Sequence, residues 1–250
     1  MVIWRALLLV YRSIDVTGFR HTLGEDDVAA GLDSFGRFPA LAAELSGGEV
    51  GVAFEVAHAA RPLRSLTPMG DGMLWPSPDD TRAELDRLAP PGAWDSVFAL
   101  WPQRDPASGA HVPTGGWGLA IRATEWSNGA TYATVANADA GVWARPVMGE
   151  VWLHEWLHGV CDVFAGRGFE MPPRDADGGG EAGYAQTPSE GWSAYYRDLM
   201  SGRVQVGDRL LGIPPAAWRT GSILTPAPLG PSPLAGEEAE GRRGGRSGQC

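Results

Sequence analysis

The sequence predicts an α+β protein built on a mixed sheet with helices packed against it. Three observations carry that expectation: apolar runs of strand length, apolar residues recurring at helical spacing between them, and a Ser127-Asn128-Gly129 turn signal between two strand-like segments. From the start, residues 3–16 are strand-like, and 26–45 place Val28, Leu32 and Phe35 on one helical face, with Pro39 expected to break or kink the helix. Val50, Val52, Phe54 and Val56 alternate with smaller or polar residues, as in a strand with one buried face. Residues 78–88, rich in Asp, Glu and Arg, read as a short exposed helix stopped by Pro90 and Pro91. Residues 94–101 form a buried strand, and 118–124 with 131–137 a hairpin.

Composition restricts what such a protein does. The chain has 250 residues, 44% of them hydrophobic and 20% charged, enough for one sizeable core. All 20 basic residues are arginine, which removes Schiff-base and P-loop lysine chemistry. A net charge of −10 argues against a nucleic-acid partner and against an anionic membrane surface. The apolar run from Ala6 to Val10 is short and follows Arg5, so it reads as a strand and not as a secretory leader; no stretch reaches the length of a membrane span. Two cysteines, Cys161 and Cys250, do not make a disulfide framework, and Cys161 is expected in the core. From residue 222 onward Pro, Gly, Ser, Glu and Arg crowd out large apolar residues, so a single folded domain is expected over 1–221 and a disordered tail over 222–250.

The chemistry sits in Val151-Trp152-Leu153-His154-Glu155-Trp156-Leu157-His158, an HExxH motif in an apolar stretch free of proline. On a helix, positions i and i+4 share a face and lie one turn apart, so both imidazoles reach one ion. Glu155 stands beside that face, where it can take a proton from a water polarised by Zn2+. A catalytic zinc needs a third protein ligand, and no histidine follows His158. Asp162 continues the same helical face but lies about 12 Å along the axis from His154, too far to share the ion. Asp175 and Asp177, in the glycine-rich acidic segment 174–184, offer an alternative zinc carboxylate or a poor calcium loop; a solvated loop is the plainer expectation.

Glu190 is the preferred third ligand. Pro188 and Ser189 read as the start and N-cap of a second helix, with Glu190 in its first turn. The run Glu190-Gly191-Trp192-Ser193-Ala194-Tyr195, some thirty residues after the motif, resembles the glutamate helix of the gluzincin metallopeptidases. The resemblance covers His154 to Tyr195 and implies a zincin-like mixed sheet, an HExxH active-site helix followed by a glutamate-bearing helix, Zn2+ held by His154, His158 and Glu190, and a peptide or protein substrate paired to an edge strand, for which 117–123 is the candidate. Thermolysin-like members carry an aspartate where this chain has Ala194, so the carboxylate behind a zinc histidine is expected from Asp162 or Asp198. Tyr184 and Tyr195, with Tyr196, are candidates for a phenol that stabilises the oxyanion.

The expected activity is therefore that of a zinc metallopeptidase with Glu155 as general base. Two other readings use the same residues: a zincin-like module that holds metal without catalysis, and a zinc hydrolase of a non-peptide amide. The unpaired base at Glu155 counts against the first of these, because a structural zinc site usually closes its fourth position with a protein ligand.

Overall fold

A computed structural model describes residues 1–139, 141–143 and 145–226. In chain order it contains β1 (Val2–Val10), β2 (Ser13–Val16), β3 (Phe19–Thr22), α1 (Glu25–Leu45), β4 (Val50–His58), β5 (Thr67–Pro68), β6 (Leu74–Trp75), α2 (Arg82–Leu88), β7 (Ser96–Trp101), β8 (Gly118–Ile121), β9 (Thr131–Ala136), α3 (Glu150–Gly166), α4 (Ser193–Leu199), β10 (Val204–Val206), β11 (Arg209–Leu211) and α5 (Pro215–Trp218). The architecture is α+β around a mixed sheet.

Five strands form the main sheet in the order β4-β1-β7-β9-β8. The first four run parallel and β8 lies antiparallel to β9 at one edge. Parallel strands covered on both faces need apolar residues at consecutive positions. Accordingly β7 and β9 are buried throughout, and β1 from Ala6 to Val10. Side chains of alternating residues feed two cores. On one face Trp4, Ala6, Leu8, Phe98 and Val135 meet Phe35 and Phe38 of α1 and Trp152, Trp156 and Phe164 of α3. On the other, Leu7, Leu9, Val97, Trp101 and Tyr132 meet Leu85 of α2, Leu63 and Trp75.

Several local expectations change under these tertiary demands. The first strand stops at Val10, and β2 and β3 form a separate hairpin around Gly18, whose φ of 87° turns the chain. Helix α1 continues through Pro39 without a break, its inner face held by Phe35, Phe38 and Leu41. Helix α2 is shorter than expected and less exposed, since Glu84 is buried and accepts a hydrogen bond from Tyr11 Oη at 3.3 Å. The hairpin forms as expected, with Asn128 and Gly129 both at positive φ, although β8 ends at Ile121. Cys161 is buried; Cys250 and the rest of 227–250 lie outside the described residues.

The expected domain boundary after 221 falls inside the folded body. Arg167 donates to the carbonyls of Gly221 at 2.6 Å and Ser222 at 2.8 Å. Leu224 N–H donates to Oδ1 of Asp95 at 2.7 Å, while Oδ2 accepts from Arg5 N–H at 2.7 Å. Asp95 is fully buried, so each stranded donor would cost on the order of 1–3 kcal/mol. Ending the chain after 221, or substituting Asp95→Ala, is therefore expected to lower the melting temperature by several degrees; an unchanged melting curve for both would show that this segment is not part of the cooperative unit.

Candidate metal centre and active-site cleft

Helix α3 delivers the motif by packing one flank into the core and leaving the other to a cleft. Trp152, Trp156, Leu157 and Val160 are buried, whereas His154 and His158 are partly exposed. Two glycines set the helix close to its neighbours. A side chain at Gly149, the left-handed residue preceding α3, would come within 2.8 Å of the backbone N of Phe38, and one at Gly159 within 2.7 Å of Thr131 on β9. The close approach to β9 places Glu155 over the start of the edge strand β8. A Cβ at Gly118 would stand 2.3 Å from Glu155 Oε1, so the glutamate occupies room that only a glycine leaves.

The cleft holds about 740 Å³ and runs between β8, the α3 histidines and the turn after α3. At its base the two Nε2 atoms of His154 and His158 lie 3.3 Å apart. Asp177 completes the group, with Oδ1 3.5 Å from His154 Nε2 and Oδ2 3.9 Å from His158 Nε2. Ligands about 2.0–2.1 Å from a tetrahedral zinc are separated by about 3.4 Å; the two nitrogens meet that spacing, and one ligand atom from each of the three residues lies within 4.8 Å of the others, so a small adjustment of the Asp177 carboxylate would fit one ion. Their chemistry fits as well, two imidazoles and a carboxylate.

The far sides of both rings are held. Asp175 accepts a hydrogen bond from His158 Nδ1, and because a carboxylate only accepts, Nδ1 carries a proton; in the neutral ring Nε2 is then left as a lone pair. His154 Nδ1 lies 2.8 Å from Tyr196 Oη. When that nitrogen donates to Tyr196, two lone pairs face each other across 3.3 Å, an arrangement that a cation between them relieves.

Asp175 and Asp177 belong to a single 3₁₀ turn spanning Asp175–Asp177. Arg174 and Asp175 both have positive φ, 61° and 34°, a sparsely populated region for side-chain-bearing residues. Tyr195 Oη donates to the Asp175 carbonyl, and Asp175 Oδ1 also accepts from Ala176 N–H. One strained turn thus presents a carboxylate to the outer nitrogen of His158 and another to the inner pair.

The residue set differs here from the one expected. Glu190 is exposed and lies ahead of α4, which begins at Ser193. Its N–H donates to Thr187 Oγ1 at 3.1 Å, and it is not among the residues whose donor atoms converge. The cause is local: Gly191 has a φ of 55°, packs against Glu150 with no room for a Cβ, and is followed by Trp192, whose N–H donates to Glu150 Oε1. That arrangement spends the start of the second helix on Glu150 and leaves Glu190 outside. Tyr184 donates to Asp198 Oδ2 at 2.7 Å and Tyr195 to the Asp175 carbonyl, so neither lines the cleft; Tyr196 does. The carboxylate behind a histidine is Asp175, in place of Asp162 or Asp198. Asp162 lines the cleft outside the converging group, and Asp198 pairs with Tyr184 and Arg203.

Sequence reasoning also passed over Arg145, which lines the cleft with its guanidinium 3.7 Å from the Trp117 ring centre. Four carboxyls, Glu155, Asp162, Asp175 and Asp177, face two guanidiniums, Arg122 and Arg145, around this cleft. Fully ionised they leave two surplus negative charges, the complement of a divalent cation.

No protein-family model matches the chain, and no curated protein matches it. The reading of the cleft therefore stands on its geometry and electrostatics.

Burial pushes the Glu155 carboxyl up to about 8. Burial and then the neighbouring His158 hold His154 down at about 4, which keeps it neutral. His158 is moved the opposite way: burial lowers it, but the hydrogen bond and charge of Asp175 outweigh burial and raise it.

These shifts give a pH signature for the metal-free protein. Glu155 and His158 both have folded pKa values above their ordinary ones of 4.5 and 6.5, so the stability they contribute is present at low pH and lost as pH rises through the folded values. His154, depressed to about 4, has finished titrating by then in both states. The metal-free melting temperature is expected to fall between about pH 6.5 and 8, and the rise on adding zinc to grow over the same interval, because a cation favours the deprotonated groups. A metal-free protein equally stable across that interval, with a zinc effect independent of pH, would contradict this.

Proposed function

We propose that the protein is a zinc-dependent hydrolase of peptide bonds. The observation that carries the proposal is the convergence of His154 Nε2, His158 Nε2 and Asp177 around one point, with the Glu155 carboxyl 3.9 Å from His154 Nε2. His154, His158 and Asp177 would hold the ion. When bound, zinc supplies an acidified water and a Lewis acid for the scissile carbonyl.

The chain's own groups supply the rest. Glu155, fixed against Gly118, takes a proton from the attacking water as its oxygen joins the carbonyl carbon. The same carboxyl then returns that proton to the leaving nitrogen as the C–N bond breaks. A cation held beside it would favour its ionised form, the one that accepts the proton. Tyr196 fixes the tilt of the His154 ring through the 2.8 Å contact with Nδ1, and Asp175 does the same for His158.

A peptide substrate is favoured by the strand that borders the cleft. β8 pairs with β9 on one side and forms the end of the sheet on the other, and Gly118, Leu119 and Ala120 line the cavity. An extended backbone laid beside it would gain main-chain hydrogen bonds and bring a carbonyl towards Glu155. This is the layout implied by the resemblance to the zincins, with an aspartate replacing the glutamate as third ligand.

The test is hydrolysis of a mixed peptide library by the zinc-loaded protein. Glu155→Gln is expected to keep zinc and lose about 10²–10⁴-fold in rate, and a chelator to silence the wild type. A Glu155→Gln protein that cleaves as fast as the wild type would remove the mechanism, and a wild type that cleaves nothing would remove the function.

A further inference from the structure

We propose that Arg145 is a specificity-determining residue that selects substrates carrying a carboxylate next to the scissile bond, either a chain-terminal carboxylate or an Asp or Glu side chain. The inference rests on the hydrolase reading of the cleft and goes beyond it by naming what the cleft accepts.

Arg145 is placed in the cleft wall with its hydrogen-bonding capacity unspent. Its Nε is buried without a partner, and its guanidinium makes no hydrogen bond to any described residue. The neighbouring carboxylate, Glu150 Oε2, stands 4.0 Å from Nη1, close enough to balance charge and too far for a hydrogen bond. Glu150 Oε2 is itself buried and unpartnered, while its Oε1 is committed to Trp192 N–H. The two groups therefore neutralise each other without consuming the donors.

The guanidinium plane is nonetheless fixed. It lies over the Trp117 ring at 3.7 Å, one residue before the edge strand and in the same wall as Gly118. Stacking of this kind holds the fork in one orientation and leaves its in-plane N–H groups to a ligand. A planar donor fork matches the two oxygens of a carboxylate. Arg145, Glu155 and Tyr196 line the same cleft. A ligand carboxylate at Arg145 would satisfy the stranded Nε–H and fix the register of an extended peptide along β8.

Arg122 is the other cation lining the cleft, and its side chain is exposed. It is the natural control, because a general attraction of the cleft for anions would pass through it as well.

The experiment compares short peptides in two pairs, one ending in a free carboxylate or its amide, the other differing only in Asp or Asn. Whichever pair carries the favoured carboxylate, the zinc-loaded wild type should prefer it by at least about tenfold in kcat/KM, mainly through KM, as expected for one charge-assisted contact. Arg145→Gln should abolish that preference, its kcat/KM falling at least about tenfold further on the carboxylate peptide than on the neutral one. Arg145→Lys should restore part of it, and Arg122→Gln should leave it intact. Equal cleavage of both members of both pairs by the wild type would overturn the proposal. So would a preference that follows Arg122, or an Arg145→Gln protein slowed equally on charged and neutral peptides.

If the wild type cleaves neither member, the hydrolase reading fails, and calorimetric binding of the same peptides decides on Arg145 alone. The metal-free protein is used so that no ion captures the carboxylate. Tighter binding of the carboxylate peptide, lost in Arg145→Gln, supports the proposal; equal binding of the two forms overturns it.

Discussion

Two imidazole nitrogens held 3.3 Å apart, each ring tied down on its far side, constrain everything around them. Rings so placed cannot both turn their lone pairs inward without cost unless positive charge lies between them. The Asp175–Asp177 turn, the Tyr195 and Tyr196 hydroxyls and the start of α4 are all recruited to keep that geometry. The positive φ values of Arg174 and Asp175 lie in the same turn, which aims two carboxylates, two positions apart in the chain, at opposite sides of His158.

Close approach is the second constraint, and glycines meet it where side chains would intrude. Gly149 lets α3 begin against α1, Gly159 seats the helix on β9, and Gly118 opens the space for Glu155. The large aromatic core fills the layer behind, with Trp152 stacked on Trp143 and Trp156 on Trp218. That rigid backing matters to the proposed role of Glu155, because a general base displaced by about 1 Å loses much of its effect. The sheet therefore does more than support the helix: its edge strand forms a wall of the cleft.

Much of this was legible in the chain. The continuous apolar runs of β1, β7 and β9 announced strands buried on both faces, Asn128-Gly129 marked the hairpin, and the spacing of His154 and His158 put two donors on one helical turn. The choice of third donor was legible only as an alternative: the sequence offers Asp175 and Asp177 behind Glu190, because the path of the chain between α3 and α4 is set by tertiary hydrogen bonds and by two residues at positive φ. The Glu190-Gly191-Trp192 run pointed elsewhere: its glycine is indeed structural, but it serves the buried Glu150. Two carboxylates two positions apart, followed by three glycines, was the available clue to a tight turn at the site. Arg145 lies in irregular chain ahead of α3, where no periodicity marks it.

In the proposed zinc site Asp177, and not Glu190, joins His154 and His158. Zinc titration of the wild type beside Asp177→Ala and Glu190→Ala tests it most directly. The account predicts one tightly bound zinc per chain in the wild type and in Glu190→Ala, with affinity reduced at least about 100-fold in Asp177→Ala. Zinc lost on substituting Glu190 and retained on substituting Asp177 would contradict it.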